Sequence, residues 1–397
     1  MGLLLAAATP AFAQLQTTTD DLRKNSRLRI GSLFLTPRIE LKDMGVDTNV
    51  FSSATNPQSD FTFTLSPSLE LGVPVARRAL VTGKVGIDAI YYKSFGSERS
   101  VNPDLEVRAE YYTPRLTFFA QNTYMSSRAR PNFEIDLRSR RTIEDLTAGF
   151  DVKFSPRSLV RFAADRSAQR YAADAVFLGS SLQEQLDRDT VTYSATLRSQ
   201  QTPKTALFLE ASVAHERFLF NARRNADKVG FMPGVELAPR ALINGKAKFG
   251  FRRFRPLDTT IPGFTGLAAN VDLGYTMLGS TRFGVQVDRD VDYSYDRAQS
   301  YYVKNGGGGS IRRQILGDAD VIVSAQRHRY TYQQSGTTGT TSPEELTTNY
   351  AFDFGYRLHN GSRIGLAVAH WRRVSDLSAA RGYNGWRYGV SFVYGKK

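Results

Sequence analysis

The strongest constraint on this chain is a hydropathy period of two in long segments that run from Ile30 almost to the C-terminus. In residues 190–198, Val, Tyr, Ala and Leu alternate with Thr, Ser and Arg, and residues 349–358 show the same alternation. Such a period places apolar and polar side chains on opposite faces of a β-strand. The alternating segments are about 10–14 residues long, and a tilted strand needs about 9–11 residues to cross a bilayer.

Short turns punctuate these segments at regular intervals of 36 to 47 residues. The turns centre on Pro74, Pro114, Pro156, Pro203, Pro239, Gly279, Gly317 and Gly361. Longer polar connections, such as residues 126–141, 167–187 and 333–344, lie between them. A layout with short turns at one end and long loops at the other is typical of outer-membrane barrels.

The pattern therefore predicts an all-β fold, a transmembrane antiparallel up-and-down β-barrel of about 18 strands. The short turns are expected to be periplasmic and the long loops extracellular. A β-propeller has a similar repeat, but each blade holds four short strands and the Gly-His and Trp-Asp signatures are absent here. A soluble β-sandwich needs far fewer strands.

The N-terminus predicts export. Residues 1–13 combine a short apolar core with Ala11-Phe12-Ala13, which fits the small-x-small rule for signal peptidase. We expect cleavage after Ala13, a periplasmic lead-in over residues 14–30 and a barrel over residues 31–397. The chain has no cysteine, which excludes disulfides, thiolate metal sites and cysteine nucleophiles. The predicted location is the outer membrane of a Gram-negative bacterium.

If the apolar faces meet lipid, the opposite faces line a polar, water-filled or partly plugged lumen that carries both signs of charge. Two strands bear ladders of like charge that are hypothetical selectivity elements. The basic ladder is Lys246, Lys248 and Arg252, and the acidic ladder is Asp288, Asp290 and Asp292. Opposed ladders would create a field across the pore, whereas an ordinary salt-bridged wall is the alternative interpretation.

Arginine-rich tracts are assigned to the extracellular loops, where the net charge of +14 is expected to concentrate. They comprise Arg128, Arg130, Arg138, Arg140, Arg141, Arg223, Arg224, Arg253 and Arg255. Guanidinium groups suit phosphate and carboxylate oxygens. The tracts are interpreted as contacts to outer-membrane lipid and the phosphates of lipopolysaccharide, or alternatively as a guide for an acidic polymer. Nucleic acid is not an expected partner, because export removes the chain from it.

Catalytic signals are weak. The four histidines lie on different strands or turns, no HExxH or GxSxG motif is present, and no catalytic residue, metal or cofactor is predicted. A barrel hydrolase that acts on lipid stays open as an alternative, because a Ser-His-acid site is recognised by geometry. The glycine run 306–309 lacks the Lys-Ser/Thr of a phosphate loop and is interpreted as a bent strand facing a bulky neighbour.

The opening of the barrel, residues 27–51, resembles the entry strand of the bacterial outer-membrane β-barrel porin family 2. The matching residues are Gly31, Phe34, Pro37 and the run Asp47-Thr48-Asn49-Val50. The resemblance implies an outer-membrane barrel of a kind often associated with exopolysaccharide or capsule export. It would then act as a passive conduit with periplasmic polysaccharide-export components as partners. A general diffusion porin for small solutes is the alternative function.

Overall fold

A closed barrel of 18 antiparallel strands forms this protein. The computed structural model describes residue 22 and residues 26–75, 78–239, 241–296, 298–315, 317–333, 342–359 and 361–394. The strands are β1 Leu33–Asp47, β2 Asp60–Val75, β3 Ala79–Tyr92, β4 Ser100–Tyr112, β5 Leu116–Ala129, β6 Ser139–Ser155, β7 Ser158–Tyr171, β8 Arg188–Thr202, β9 Thr205–Phe218, β10 Ala226–Leu237, β11 Ile243–Pro256, β12 Phe264–Met277, β13 Thr281–Tyr293, β14 Tyr301–Ile315, β15 Ala319–Gln333, β16 Glu344–Arg357, β17 Arg363–Ser375 and β18 Tyr383–Tyr394.

Each strand pairs with its neighbour in sequence, and β1 closes the sheet by pairing with β18. The closing register runs from Ile39 opposite Tyr394 to Asp47 opposite Arg387. Closure satisfies the backbone N–H and C=O groups that a bilayer leaves without water partners. The short strand Leu28–Ile30 folds back onto the start of β1. The predicted signal peptide, residues 1–13, and most of the lead-in lie outside the described residues.

The two ends of the barrel differ as predicted. Eight short turns join β2 to β3, β4 to β5 and so on, and nine longer connections join the strands at the opposite, extracellular end. The longest connection, residues 172–187, contains the helix α1 Leu182–Leu186, which Ser181 caps. No helix in the described part of the chain is long and apolar enough to cross a membrane.

Some predicted boundaries were wrong by several residues. Pro74 lies inside β2, where it stands opposite Leu80, so the turn follows it. Strand β5 continues to Ala129 and β7 continues to Tyr171, so the connections predicted at 126–141 and 167–187 begin within strands. Polar side chains on these strand ends misled the prediction, because a strand that extends beyond the bilayer no longer needs an apolar face.

The alternating faces separate lipid from lumen. On β11, Phe249 and Phe251 are 64% and 63% exposed, as expected for side chains that point outward into lipid. Their neighbours Lys248 and Arg252 point inward and form ion pairs with acids on other strands. The predicted polar wall of mixed charge is therefore present. The main buried apolar cluster lies at the extracellular end of the barrel.

Candidate functional site

The hairpin of β13 and β14 leaves the barrel wall near its extracellular end. Pairing of β12 with β13 stops at Ala269 opposite Arg289, whereas β13 and β14 remain paired up to Tyr293 opposite Tyr301. Strand β12 continues beyond this point and pairs with β11 as far as Phe264. The end of the hairpin, residues 291–296 and 298–303, is thus separated from one neighbour and leans inward.

Both faces of this hairpin end are buried. Val291, Tyr293, Tyr301 and Val303 belong to an apolar cluster whose other members come from β7, β9, β10, β11 and four loops. The hydroxyl of Tyr293 donates a 2.6 Å hydrogen bond to Glu216 on β9. Strands β9 and β13 lie four positions apart, or roughly 19 Å along the wall at about 4.8 Å per strand. Direct contact between them requires the hairpin to reach across the lumen.

The loop of residues 130–138, between β5 and β6, reaches the hairpin from the other side. Its residues Glu134 and Ile135 have 0% exposure. The Glu134 carboxylate accepts hydrogen bonds from the hydroxyl of Ser294 and, at 3.2 Å, from the backbone N–H of Tyr295. Phe133 packs edge-on against Tyr302, with ring centroids 5.4 Å apart. The two loops therefore meet over the lumen.

We call these two segments, residues 130–138 and the hairpin end of residues 291–296 and 298–303, together with residues 172–187, the outer-mouth cap. Four residues of the other two cap segments, Ile135, Ala175, Leu182 and Leu186, belong to the same apolar cluster as the hairpin end. On the other face of the hairpin, Tyr302 packs with Tyr330 and Tyr332 of β15 in a second buried cluster. The cap thus covers the lumen at its extracellular end.

A buried ion network anchors the cap to the wall. Arg373 of β17 donates two 2.8 Å hydrogen bonds to Glu345 of β16 and one of 3.1 Å to Asp136 in the cap loop. The same guanidinium donates to the backbone oxygen of Phe133 at 2.8 Å. Arg381 contacts Glu345 at 3.0 Å and Glu134 at 3.9 Å. Because buried charges are costly unless they are paired, this network specifies where the loop lies.

Burial shifts three carboxyl groups of the cap, those of Glu134, Asp136 and Asp187, towards their neutral form. Burial raises the pKa of Glu134 to about 7, although Ser294 and Arg381 act in the opposite direction. Burial also raises the pKa of Asp136 and raises that of Asp187 to about 6. In the connection between β9 and β10, burial lowers the pKa of Arg224 to about 10. The cap therefore contains groups that titrate near neutral pH.

The two predicted charge ladders lie side by side in one wall and are linked to each other. Arg252 and Asp290 form an ion pair at 2.5 Å across the intervening strand β12. Lys248 pairs with Glu210 at 2.9 Å. Lys246 lies over the ring of Phe208, 4.5 Å from its centroid. Strands only two apart lie within reach of an extended arginine, so the ladders do not oppose each other across the pore.

The acidic ladder has further partners. Asp288 contacts Lys304 at 2.9 Å and His328 at 3.0 Å. Asp292 accepts a 3.4 Å hydrogen bond from Tyr302, within the hairpin end. The arrangement matches the salt-bridged wall that was the alternative interpretation. The side chain of Asp290 is nevertheless 46% exposed, and a role of the ladders in ion selectivity remains a prediction.

The assignment of the arginine tracts to loops was only partly correct. Arg130, Arg138, Arg223 and Arg224 do lie in connections. The others occupy the extracellular ends of strands: Arg128 on β5, Arg140 and Arg141 on β6, and Arg253 and Arg255 on β11. They extend the strands beyond the bilayer, where outward positions become polar.

Not every loop arginine faces the outside. Arg224 is 4% exposed and donates to the backbone oxygens of Ser294 and Asp296, so it holds the hairpin end in place. Arg138 is largely buried beside Glu98, 3.6 Å away, and Arg130 donates to the backbone oxygen of Val50 at 2.6 Å. The guanidinium groups of these three arginines interact with other groups of the protein itself.

Sequence reasoning missed the cap residues Glu134, Ile135 and Ser294. A signal was present, because Phe133 and Ile135 are large apolar residues in a connection that was read as polar. The predicted bulky neighbour of the glycine run is present, since a Cβ on Gly306 would lie 1.9 Å from the His328 ring. The hydrogen bonds of His215 and His328 go to Asp227 and Asp288.

A comparison with protein families agrees with this architecture. Residues 26–393 match the profile of the family described as "Putative beta-barrel porin 2". No curated protein matches the sequence.

Three solved structures from Pseudomonas aeruginosa are similar in shape but distant in sequence. The outer membrane protein opdK aligns with 92% of this chain and 100% of its own, at 10% identity and a TM-score of 0.49. OccK3 (OpdO) aligns with 91% of this chain and 95% of its own, at 10% identity and a TM-score of 0.48. A mutant of the ferric enterobactin receptor (PfeA) aligns with 90% of this chain and 80% of its own, at 7% identity and a TM-score of 0.46. Similarity at this level identifies no transported solute.

Proposed function

The chain belongs to the family described as "Putative beta-barrel porin 2", and from this premise we propose that it is a bacterial outer-membrane channel closed at rest by its outer-mouth cap. The observation that carries the proposal is the contact between Glu134 and Ser294. It joins loops from opposite sides of the wall, above a lumen whose paired charges remain partly exposed. A hydrated, charged interior beneath a removable cover is the arrangement of a gated pore.

The hairpin end is placed to swing away from the loop of residues 130–138. The glycine run 306–309 lies in β14 beside the point where β13 separates from β12. Glycine permits the backbone changes that a hinge requires. The contacts between loop and hairpin include polar hydrogen bonds, which water replaces at a small net cost of about 0.5–1.5 kcal/mol each.

Small hydrophilic solutes are the substrate class that we propose. The wall carries closely paired charges of both signs, as in Arg252 with Asp290 and Lys248 with Glu210. Such a wall offers hydrogen bonds to many polar solutes and favours no single sign of charge. This corresponds to a diffusion porin whose access is controlled at the mouth.

Polysaccharide export is the second candidate, and the aromatic rings of the cap favour it. Phe133, Tyr302, Tyr330 and Tyr332 lie together where a polymer would leave the pore. Flat aromatic faces suit the apolar faces of sugar rings. In this role the cap would open around a chain delivered by periplasmic export components, as the family resemblance implies.

Planar-bilayer recording of the refolded barrel tests the channel. We expect the wild type to conduct in brief, infrequent steps. A variant in which residues 131–137 are replaced by a short Gly-Ser linker should give large, long-lived steps. Silence from a folded, heat-modifiable barrel with the shortened loop would overturn the proposal.

Liposomes then distinguish the two substrate classes. Swelling of vesicles that contain the shortened-loop variant is measured with neutral sugars of increasing size. A cut-off at small oligosaccharides supports the diffusion porin. Passage of long neutral polymers, together with block of the ion current by such polymers, supports the export conduit instead.

A further inference from the structure

An apolar groove of about 580 Å³ lies on the outer wall of the barrel, away from the lumen and the cap. It spans the extracellular halves of β2, β3 and β4. Its apolar lining includes Phe63, Leu65, Ala89, Tyr91 and Val101. Phe63 and Tyr91 stack with ring centroids 4.9 Å apart and form its floor. A groove on this side of the barrel faces the acyl chains of the membrane.

Two arginines, Arg99 and Arg140, line the extracellular end of the groove. Arg99 lies over the ring of Tyr91, 4.4 Å from its centroid, and donates to the backbone oxygens of Tyr92 at 2.8 Å and Lys93 at 3.1 Å. Arg140 donates to the hydroxyl of Ser126 at 3.0 Å. These contacts fix each guanidinium and leave further N–H groups for a ligand, since each guanidinium has five.

The positive charge at this end is not neutralised by the protein. Among the described residues, no carboxylate lies within ion-pair distance of Arg99, Arg140 or their neighbour Arg128. The rim above β9–β11 provides a contrast. There Arg217 and Arg255 both pair with Asp227, at 2.9 and 3.1 Å. Two exposed arginines without a counter-ion attract an anion from outside the protein.

We propose that this groove binds the lipid A part of lipopolysaccharide. One acyl chain lies along Phe63, Leu65 and Val101, and a lipid A phosphate is bound by Arg99 and Arg140. Lipid A is the occupant that combines both chemistries at this depth, because it carries phosphate groups directly above acyl chains in the outer leaflet. The inference is independent of whether the channel is open or closed.

Native mass spectrometry of the refolded barrel in detergent tests the proposal, with purified lipid A as the probe. The variant is Arg99→Gln with Arg140→Gln, and the matched control is Arg255→Gln, an exposed rim arginine that already has a carboxylate partner. We expect one tightly bound lipid A in the wild type and in the control. The double variant should bind at least tenfold more weakly.

Two further lipids show which chemical groups of lipid A the groove recognises. Dephosphorylated lipid A should bind the wild type as weakly as intact lipid A binds the double variant. Phosphatidylethanolamine, which also has acyl chains and a phosphate but no net charge, should bind weakly to all three proteins. The proposal is overturned if the double variant retains wild-type affinity for lipid A, or if phosphatidylethanolamine binds the wild type as tightly. Retained heat-modifiability shows that each variant is folded.

Discussion

The Glu134 carboxylate accepts a hydrogen bond from the Ser294 hydroxyl, although the loops that carry them leave the wall eight strands apart in a barrel of 18. The two residues therefore start from nearly opposite sides of the mouth. Residues 160 apart in sequence meet only because both loops turn inward. The contact is thus a direct indicator of whether the cap is closed.

Replacing Glu134 with Ala should loosen the cap. The change removes the acceptor of the Ser294 hydroxyl and of the Tyr295 N–H, and a buried donor left without a partner costs about 1–3 kcal/mol. We expect the open time in planar bilayers to increase at least several-fold. Glu344→Gln, which alters an exposed ion pair with Arg329 at the rim, is the control and should leave gating unchanged. Identical recordings from Glu134→Ala and the wild type would contradict a gating role.

The pH dependence of gating should follow Glu134. Burial raises its pKa to about 7 from an ordinary 4.5, so the closed cap binds the proton more tightly than an open, hydrated cap does. Protonation of Glu134 therefore stabilises the closed cap fully below about pH 4.5, and this stabilisation is lost as the pH rises to about 7. This difference in the pKa of Glu134 corresponds to about 3 kcal/mol of stabilisation of the closed cap over the open one. Asp136, whose pKa is also raised by burial, acts in the same direction.

Open probability is thus expected to increase between pH 5 and pH 8. Glu134→Gln keeps the size of the side chain and its acceptor oxygen but cannot ionise, so its open probability should increase much less across this range. Recordings at a series of pH values compare the two proteins directly. A pH response of the same size in Glu134→Gln would assign the titration to other groups.

Gly306 should be the least replaceable residue of the glycine run. A Cβ at this position would lie 1.9 Å from a ring carbon of His328, which is itself held by Asp288 at 3.0 Å. We expect Gly306→Ala to cost about 1–3 kcal/mol, as overpacking does. Gly309→Ala is the matched control, because its nearest heavy atom would be 3.7 Å away. The midpoint of heat modification on gels should fall only for Gly306→Ala.

The barrel was predictable from the sequence, but the cap was not. Outward positions such as Phe249 and Phe251 must be apolar wherever the strand meets lipid. The alternation within each strand's own sequence therefore identifies these positions. The cap depends on a partner that is distant in sequence. Tyr293 continues the alternation of β13 although it faces the interior of the mouth, so the pattern does not record where the strand leaves the wall. Glu134 becomes buried only because the hairpin covers it.

The same limit applies to the charge ladders, whose alternation was evident although their partners were not. Lys248 and Arg252 pair with Glu210 and Asp290, so neutralising the two bases leaves two accessible carboxylates in the lumen. Lys248→Gln with Arg252→Gln, in the Glu134→Ala background so that the pore conducts, should shift the reversal potential towards cation preference. Arg253→Gln is the control, because this neighbour on β11 faces outward. An unchanged reversal potential in the double substitution would show that ions do not pass along this wall.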